Sequence, residues 1–114
     1  MAHASQEAYF NTLCPEARAM LEVIQAEVEI RIPAALRCIG YNMPAFRGKR
    51  IFFYFAAFKK HIGIYPPLTQ GAGLIAELAP WRGPKGNLSF PRNQPLPIEL
   101  IGRVAVALYR EYGV

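Results

Sequence analysis

The amino-acid sequence predicts an α+β domain of two layers, a mainly antiparallel β-sheet packed by N- and C-terminal helices. Three observations lead there. Two aromatic-rich runs of strand length, Ile51–Ala57 and His61–Tyr65, are separated only by Phe58-Lys59-Lys60. So short a connection cannot cross over the sheet, which makes the pair antiparallel. Apolar residues repeat with helical period near both ends, at Ala17, Met20, Leu21, Ile24 and Val28 and again at Ile98, Ile101, Ala105 and Leu108. Finally, 114 residues suffice for one hydrophobic core and not for two. Residues 1–114 are therefore read as a single domain whose helical stripes are buried on the sheet.

The elements follow in order. Ser5 is suited to cap a short helix reaching about Leu13, with Tyr9 and Leu13 on one face. Pro15 is placed to open a second helix, to about Glu29, and Pro33 ends that region. On its outer side Arg18 and Glu22 form an i,i+4 pair. Ala35–Tyr41 reads as a strand that continues in extended form through Met43-Pro44-Ala45-Phe46, Pro44 keeping it at an edge or bend. Arg47-Gly48-Lys49-Arg50 is a basic turn into the two aromatic strands, and Pro66-Pro67 ends the second of them. Gly71–Leu78 is a short helix closed by Pro80, Trp81–Gly86 a loop, and Asn87–Phe90 a short strand. A proline-rich connection, Pro91–Pro97, leads into a last helix from Pro97 to about Tyr112. The predicted order is α-α-β-β-β-α-β-α.

Composition narrows the class. Hydrophobic residues are 53% and charged residues 18%, the balance of a globular rather than a disordered chain. The longest apolar run, Ile51–Phe58, is far short of the roughly 20 residues of a membrane span. The N-terminus has no basic stretch followed by an apolar one, so no signal peptide is read and the cytoplasm is expected. Cys14 and Cys38 match no metal or redox spacing and are expected as reduced thiols serving as small hydrophobes. Charge is unevenly placed. Residues 1–30 hold five glutamates against Arg18, and residues 31–92 hold ten basic residues against Glu77 alone. A basic middle segment fits either an anionic partner or a solvated face.

A two-residue turn at Lys59-Lys60 would set Phe58 opposite His61, Ala56 opposite Gly63 and Tyr54 opposite Tyr65. One face of the hairpin then shows Ile51, Phe53, Phe55, Ala57, Ile62 and Ile64, an apolar set suited to the core. The other shows Phe52, Tyr54, Ala56, Phe58, His61, Gly63 and Tyr65, aromatic with polar handles. A longer loop would shift the register and exchange the faces. The aromatic face is read as a ligand surface, or else as one covered by a helix or a second subunit.

Four segments carry a family resemblance: Gly40–Phe46 (GYNMPAF), Tyr54–Pro66 (YFAAFKKHIGIYP), Lys85–Pro91 (KGNLSFP), and Pro95-Leu96-Pro97 with Leu100-Ile101. Together, and in this order, they resemble the small bacterial YdhG-like family, a domain of unknown function, from roughly Gln6 to Tyr112. The resemblance implies a two-layer α+β fold. Because some members are described as frataxin-like intracellular iron chaperones, it also implies iron delivery. The acidic side chains available for such a role are Glu22 and Glu29, whose seven-residue spacing lets them share a face of the second helix, with Glu27 on another face and Glu16 and Glu7 nearby. Lys60 stands where an Asn is common in the family.

No serine or cysteine sits in a nucleophile motif, and no carboxylate is obviously placed to orient His61, so an enzyme is not expected. His3 suggests nothing, lying in an N-terminus expected to fray. Candidate ligand-binding residues are Tyr41, Met43, Phe46, Tyr54, Lys59, His61, Tyr65, Lys85 and Gly86, lining an aromatic cleft with a basic rim. Two functions stay open: an iron chaperone using Glu22 and Glu29, or a non-catalytic module for a small anionic ligand, a nucleotide or a single strand. No resident cofactor is expected beyond that iron, no membrane is expected as partner, and monomer and homodimer are both compatible with the sequence.

Overall fold

Ser5 caps the first helix, α1 (Gln6–Phe10), its hydroxyl accepting from the Ala8 N–H at 3.1 Å. Pro15 opens α2 (Pro15–Arg31), where its missing N–H costs nothing. The computed structural model describes residues 3–114. Five antiparallel strands follow in one meandering sheet: β1 (Leu36–Gly40), β2 (Met43–Arg47), β3 (Ile51–Ala57), β4 (His61–Tyr65) and β5 (Leu88–Pro91). Between β4 and β5 lie α3 (Ala72–Glu77) and a 3₁₀ turn, Ala79–Trp81. Helix α4 (Ile98–Leu108) runs on as a wider π-type turn, Tyr109–Gly113.

The expected fold class and order of elements hold, with one subdivision. The stretch Ala35–Phe46 does not stay extended. It folds back at Tyr41-Asn42, pairing Gly40 with Met43 and Cys38 with Ala45. Both turn residues have left-handed backbone angles, φ 51° and 59°, as the commonest two-residue hairpin turn requires. Asn tolerates that geometry and Tyr pays for it, which is why the sequence shows no turn signal there. Pro44 sits inside this hairpin, yet the β2–β3 ladder begins only at Ala45↔Tyr54. Its missing N–H therefore breaks no rung toward β3.

The β3–β4 register is the one expected, with Tyr54↔Tyr65 and Ala56↔Gly63 paired. One correction applies to the faces. A bulge shifts the β2–β3 register, so that Phe46 pairs with Phe53 but Arg47 with Ile51. The extra residue turns Phe52 inward and Ile51 outward, exchanging their expected sides. Phe52 is fully buried, its ring 5.1 Å from that of Tyr109.

The core lies between the sheet and helices α1, α2 and α4. Phe46, Phe53 and Phe55 pack together on the sheet, Phe10 meets Phe55 from α1, and Leu21, Ile24 and Val28 of α2 and Ile101, Val104 and Leu108 of α4 are fully buried. Gln6 is the one buried polar side chain among the described residues. Its amide donates to the Ala45 carbonyl at 2.6 Å and accepts from Gln25 at 2.8 Å, so it is satisfied. The C-terminus closes the β2–β3 turn, the Gly113 carbonyl accepting from the Lys49 N–H at 2.8 Å. No helix is long and apolar enough to cross a membrane among the described residues.

Candidate functional site

Helices α1, α2 and α4 bury their side chains on one face of the sheet, and among the described residues the other face has no helical cover. That second face carries Tyr41, Tyr54, Phe58, His61 and Tyr65, with small residues between them. Tyr41 is 85% exposed and Phe58 39% exposed, while Tyr54, His61 and Tyr65 are half-buried. The rings lie across the sheet rather than standing away from it. A Cβ placed on Gly63 would come 2.9 Å from the Phe58 ring and 3.0 Å from the Tyr65 hydroxyl, and one on Gly40 would come 2.8 Å from the Tyr54 ring. Glycine at these two positions therefore lets the rings settle onto the backbone. Phe58 and His61 stack with centroids 4.8 Å apart, and Tyr41 leans on Tyr54 at 5.6 Å. Of the alternatives the sequence leaves open, no helix covers this face among the described residues, and the rings lie as a surface layer.

The structure places the predicted residues as follows. Met43, Tyr54, His61 and Tyr65 belong to this face by register, Tyr41 joins it from the β1–β2 turn through its ring contact with Tyr54, and Lys59 stands at the β3–β4 tip. Phe46 does not belong to it. Its neighbour-to-neighbour alternation sends it to the core, fully buried and stacked on Phe55 at an 8° interplanar angle. Lys85 is exposed in the loop before β5, which the Ile64↔Leu88 pairing brings to the Tyr65 end of the face. Gly86 is a turn residue: its φ is +88°, and a Cβ there would meet Pro67 at 2.9 Å. Burial raises the Tyr54 phenol above its ordinary pKa, with smaller contributions from Tyr41 and Cys38.

The β3–β4 turn is tight without left-handed residues, because no positive φ occurs at Lys59 or Lys60. Arg92 holds it instead. Its guanidinium donates to the Phe58 carbonyl at 2.9 Å and the Lys59 carbonyl at 3.2 Å, and its backbone N–H donates to the Lys60 carbonyl at 3.0 Å. The sequence gives no sign of Arg92, since the contact spans more than thirty positions.

Charge is partitioned between the two sides of the molecule. Glu7, Glu22, Glu27, Glu29, Glu77 and Glu99 pair with Arg18, Arg31, Arg37 and Arg103, mostly on or between helices. Glu111 accepts from Thr69 and Gln70. Arg47, Lys49, Arg50 and Lys85 at one end of the aromatic face, and Lys59 and Lys60 at the other, have no carboxylate partner among the described residues. Six cations without a carboxylate partner among the described residues thus border the open face.

On the acidic helix face, Glu22 and Glu29 are each engaged by an arginine. Glu22 bonds Arg18 at 3.2 Å, and Glu29 receives two hydrogen bonds from Arg37 at 2.6 and 2.9 Å, which hold its carboxyl below the usual carboxylate range. No cluster of three His, Cys, Asp or Glu side chains that could hold an ion occurs among the described residues. His61 has no carboxylate beside it among them either. Both cysteines are free, as expected, but Cys14 is exposed rather than a core hydrophobe. Backbone N–H groups of the first α2 turn and the Arg92 guanidinium, 3.3 Å away, lower its pKa, whereas burial raises that of Cys38. His3 is also placed: its N–H donates to Asn42 Oδ1 at 2.7 Å and its ring meets Tyr9 edge-on, so the expected fraying does not hold there.

No family model matches the chain, and no curated protein matches it either. Among solved structures it is similar to the crystal structure of YdhG from Bacillus subtilis, a protein of the DUF1801 family. The two superpose with a TM-score of 0.80 at 18% identity over 92% of this chain and 88% of that one. This chain shares that fold.

Proposed function

We propose that the chain is a non-catalytic binding module whose open sheet face takes a planar anionic ligand, a nucleotide or a short single strand of nucleic acid. One observation carries the reading: a layer of five rings is left uncovered and is bordered at both ends by cations that no carboxylate neutralises. Bases stack on exposed aromatic rings whatever their sequence, and phosphates are drawn to unpaired lysine and arginine. Tyr54 and Tyr65, paired across β3 and β4, form the centre of the platform. Lys85 at one end, and Lys59 and Lys60 at the other, are positioned for a backbone running along the strands.

The test is a fluorescence-anisotropy titration with a labelled oligothymidylate, with ATP as competitor. Tyr65→Ala combined with Lys85→Ala should weaken binding by at least tenfold, since stacking alone is worth roughly 1–3 kcal/mol per base. Unchanged affinity in that variant would overturn the proposal. So would saturable ferrous-iron binding, lost in Glu22→Gln/Glu29→Gln, by a protein that binds no oligonucleotide; that result would favour iron carriage.

A further inference from the structure

The molecule has a second concave surface, on the helical side of the β3–β4 tip. Two adjoining cavities of about 620 and 420 Å³ share Glu16, Met20 and Arg92 as lining. Both volumes fall in the roughly 300–1,000 Å³ range of small-molecule sites. The two halves differ in chemistry. The larger is bordered by Lys59, Lys60 and Arg92. The smaller is walled by Ala19, Met20 and Val23 of α2 and by Leu96 and Ile98 of the connection into α4.

Each half is left unsatisfied by the fold itself. Arg92 is fixed in place by the Phe58 and Lys59 carbonyls and by Cys14 Sγ, none of which is a carboxylate that would neutralise it. Glu16 is the single acid of the lining against three bases, and it forms no ion pair among the described residues. On the apolar side Val23 is 48% exposed, although it adjoins the half-buried Met20. An apolar strip joined to a fixed, unneutralised cation is complementary to one kind of molecule, an amphiphile.

We infer that this groove binds a small amphiphile with an anionic head and an unbranched apolar tail, the head at Arg92, Lys59 and Lys60 and the tail along Met20, Val23, Leu96 and Ile98. The tail removes the exposed Val23 and Met20 surface from water. The head gains charge-assisted hydrogen bonds where the protein supplies no counter-charge. This site stands apart from the aromatic face, sharing only the Lys59-Lys60 tip with it.

The experiment is a calorimetric titration of the full chain with decanoate and with decyl phosphate, both below micelle formation, with acetate and decanol as controls. Saturable binding of one or both anionic amphiphiles, and of neither control at the same concentration, is expected; preference between the two decides whether the head is a carboxylate or a phosphate. Val23→Asp, at an exposed position that should not disturb folding, is expected to weaken binding at least about tenfold by putting a charge beside the tail. Lys60→Gln should weaken it by a smaller factor. Oligothymidylate binding in Val23→Asp should stay at the wild-type level, which separates this site from the aromatic face. The inference is overturned if neither anionic amphiphile saturates, if decanol or acetate binds as well as they do, or if Val23→Asp leaves their affinity unchanged.

Discussion

At the scale of single residues, the open face is built from positions where the backbone is asked for something unusual. Tyr41 holds a φ of 51°, a conformation that costs a non-glycine residue roughly 1–2 kcal/mol. A tyrosine is a poor choice for a turn and a good one for a platform, because its ring extends the row begun by Tyr54. Tyr41→Asn is therefore expected to raise stability, by up to about 1 kcal/mol through a better turn residue. The same change should weaken oligothymidylate binding. Urea denaturation and anisotropy on one protein sample read both effects. A variant both less stable and equally tight in binding would show that the ring serves packing alone.

At the scale of elements, the β1–β2 hairpin joins the rest of the sheet through three residue pairs with β3. Its ladder to β3 starts only at Ala45, and the Gln6 side chain reaches from α1 to the Ala45 carbonyl to tie it down. Gln25 of α2 holds Gln6 in turn, linking both N-terminal helices to the hairpin. Gln6→Ala would leave a buried carbonyl and the Gln25 amide without this partner, an expected loss of about 1–3 kcal/mol. The urea midpoint measures it, and hydrogen exchange should quicken first in β1 and β2. The bulge at Ile51-Phe52 is the other decisive local feature. It brings two successive phenylalanines, Phe52 and Phe53, to the core side and lets the C-terminal turn dock through Tyr109.

At the scale of the whole molecule, acids and bases are sorted rather than mixed. Six helix-borne glutamates pair with four arginines, and the sheet's loops keep their cations free of carboxylates among the described residues. Glu29 illustrates the consequence for pH. The hydrogen bonds from Arg37 lower its carboxyl pKa in the folded state, so the stability it contributes is present above the ordinary carboxylate range and is lost as pH falls through the depressed value. Glu29→Gln should accordingly destabilise the protein near neutrality and make no difference in strong acid. Denaturant midpoints of the two proteins at both conditions check it; a gap that persists in strong acid would assign the effect to something other than the charge.

The sequence by itself determined the α+β class, the order of the elements, the caps at Ser5 and Pro15, the β3–β4 register and the aromatic character of one sheet face. Those features rest on local chemistry, on period-two and helical spacing, and on a short connection that admits only one pairing. What only the tertiary structure decided depends on contacts between distant residues. The bulge that exchanges Ile51 and Phe52 needs β2 as its partner, and the burial of Phe46 needs Phe53 and Phe55 beside it. The grip of Arg92 on the β3–β4 tip joins the end of β5 to a turn far back in the chain. The pairing of Glu22 and Glu29 with arginines likewise appears only once Arg18 and Arg37 are brought beside them. Spacing along a chain reports which face a side chain shares with its neighbours, and it cannot report which charge from elsewhere will meet it there.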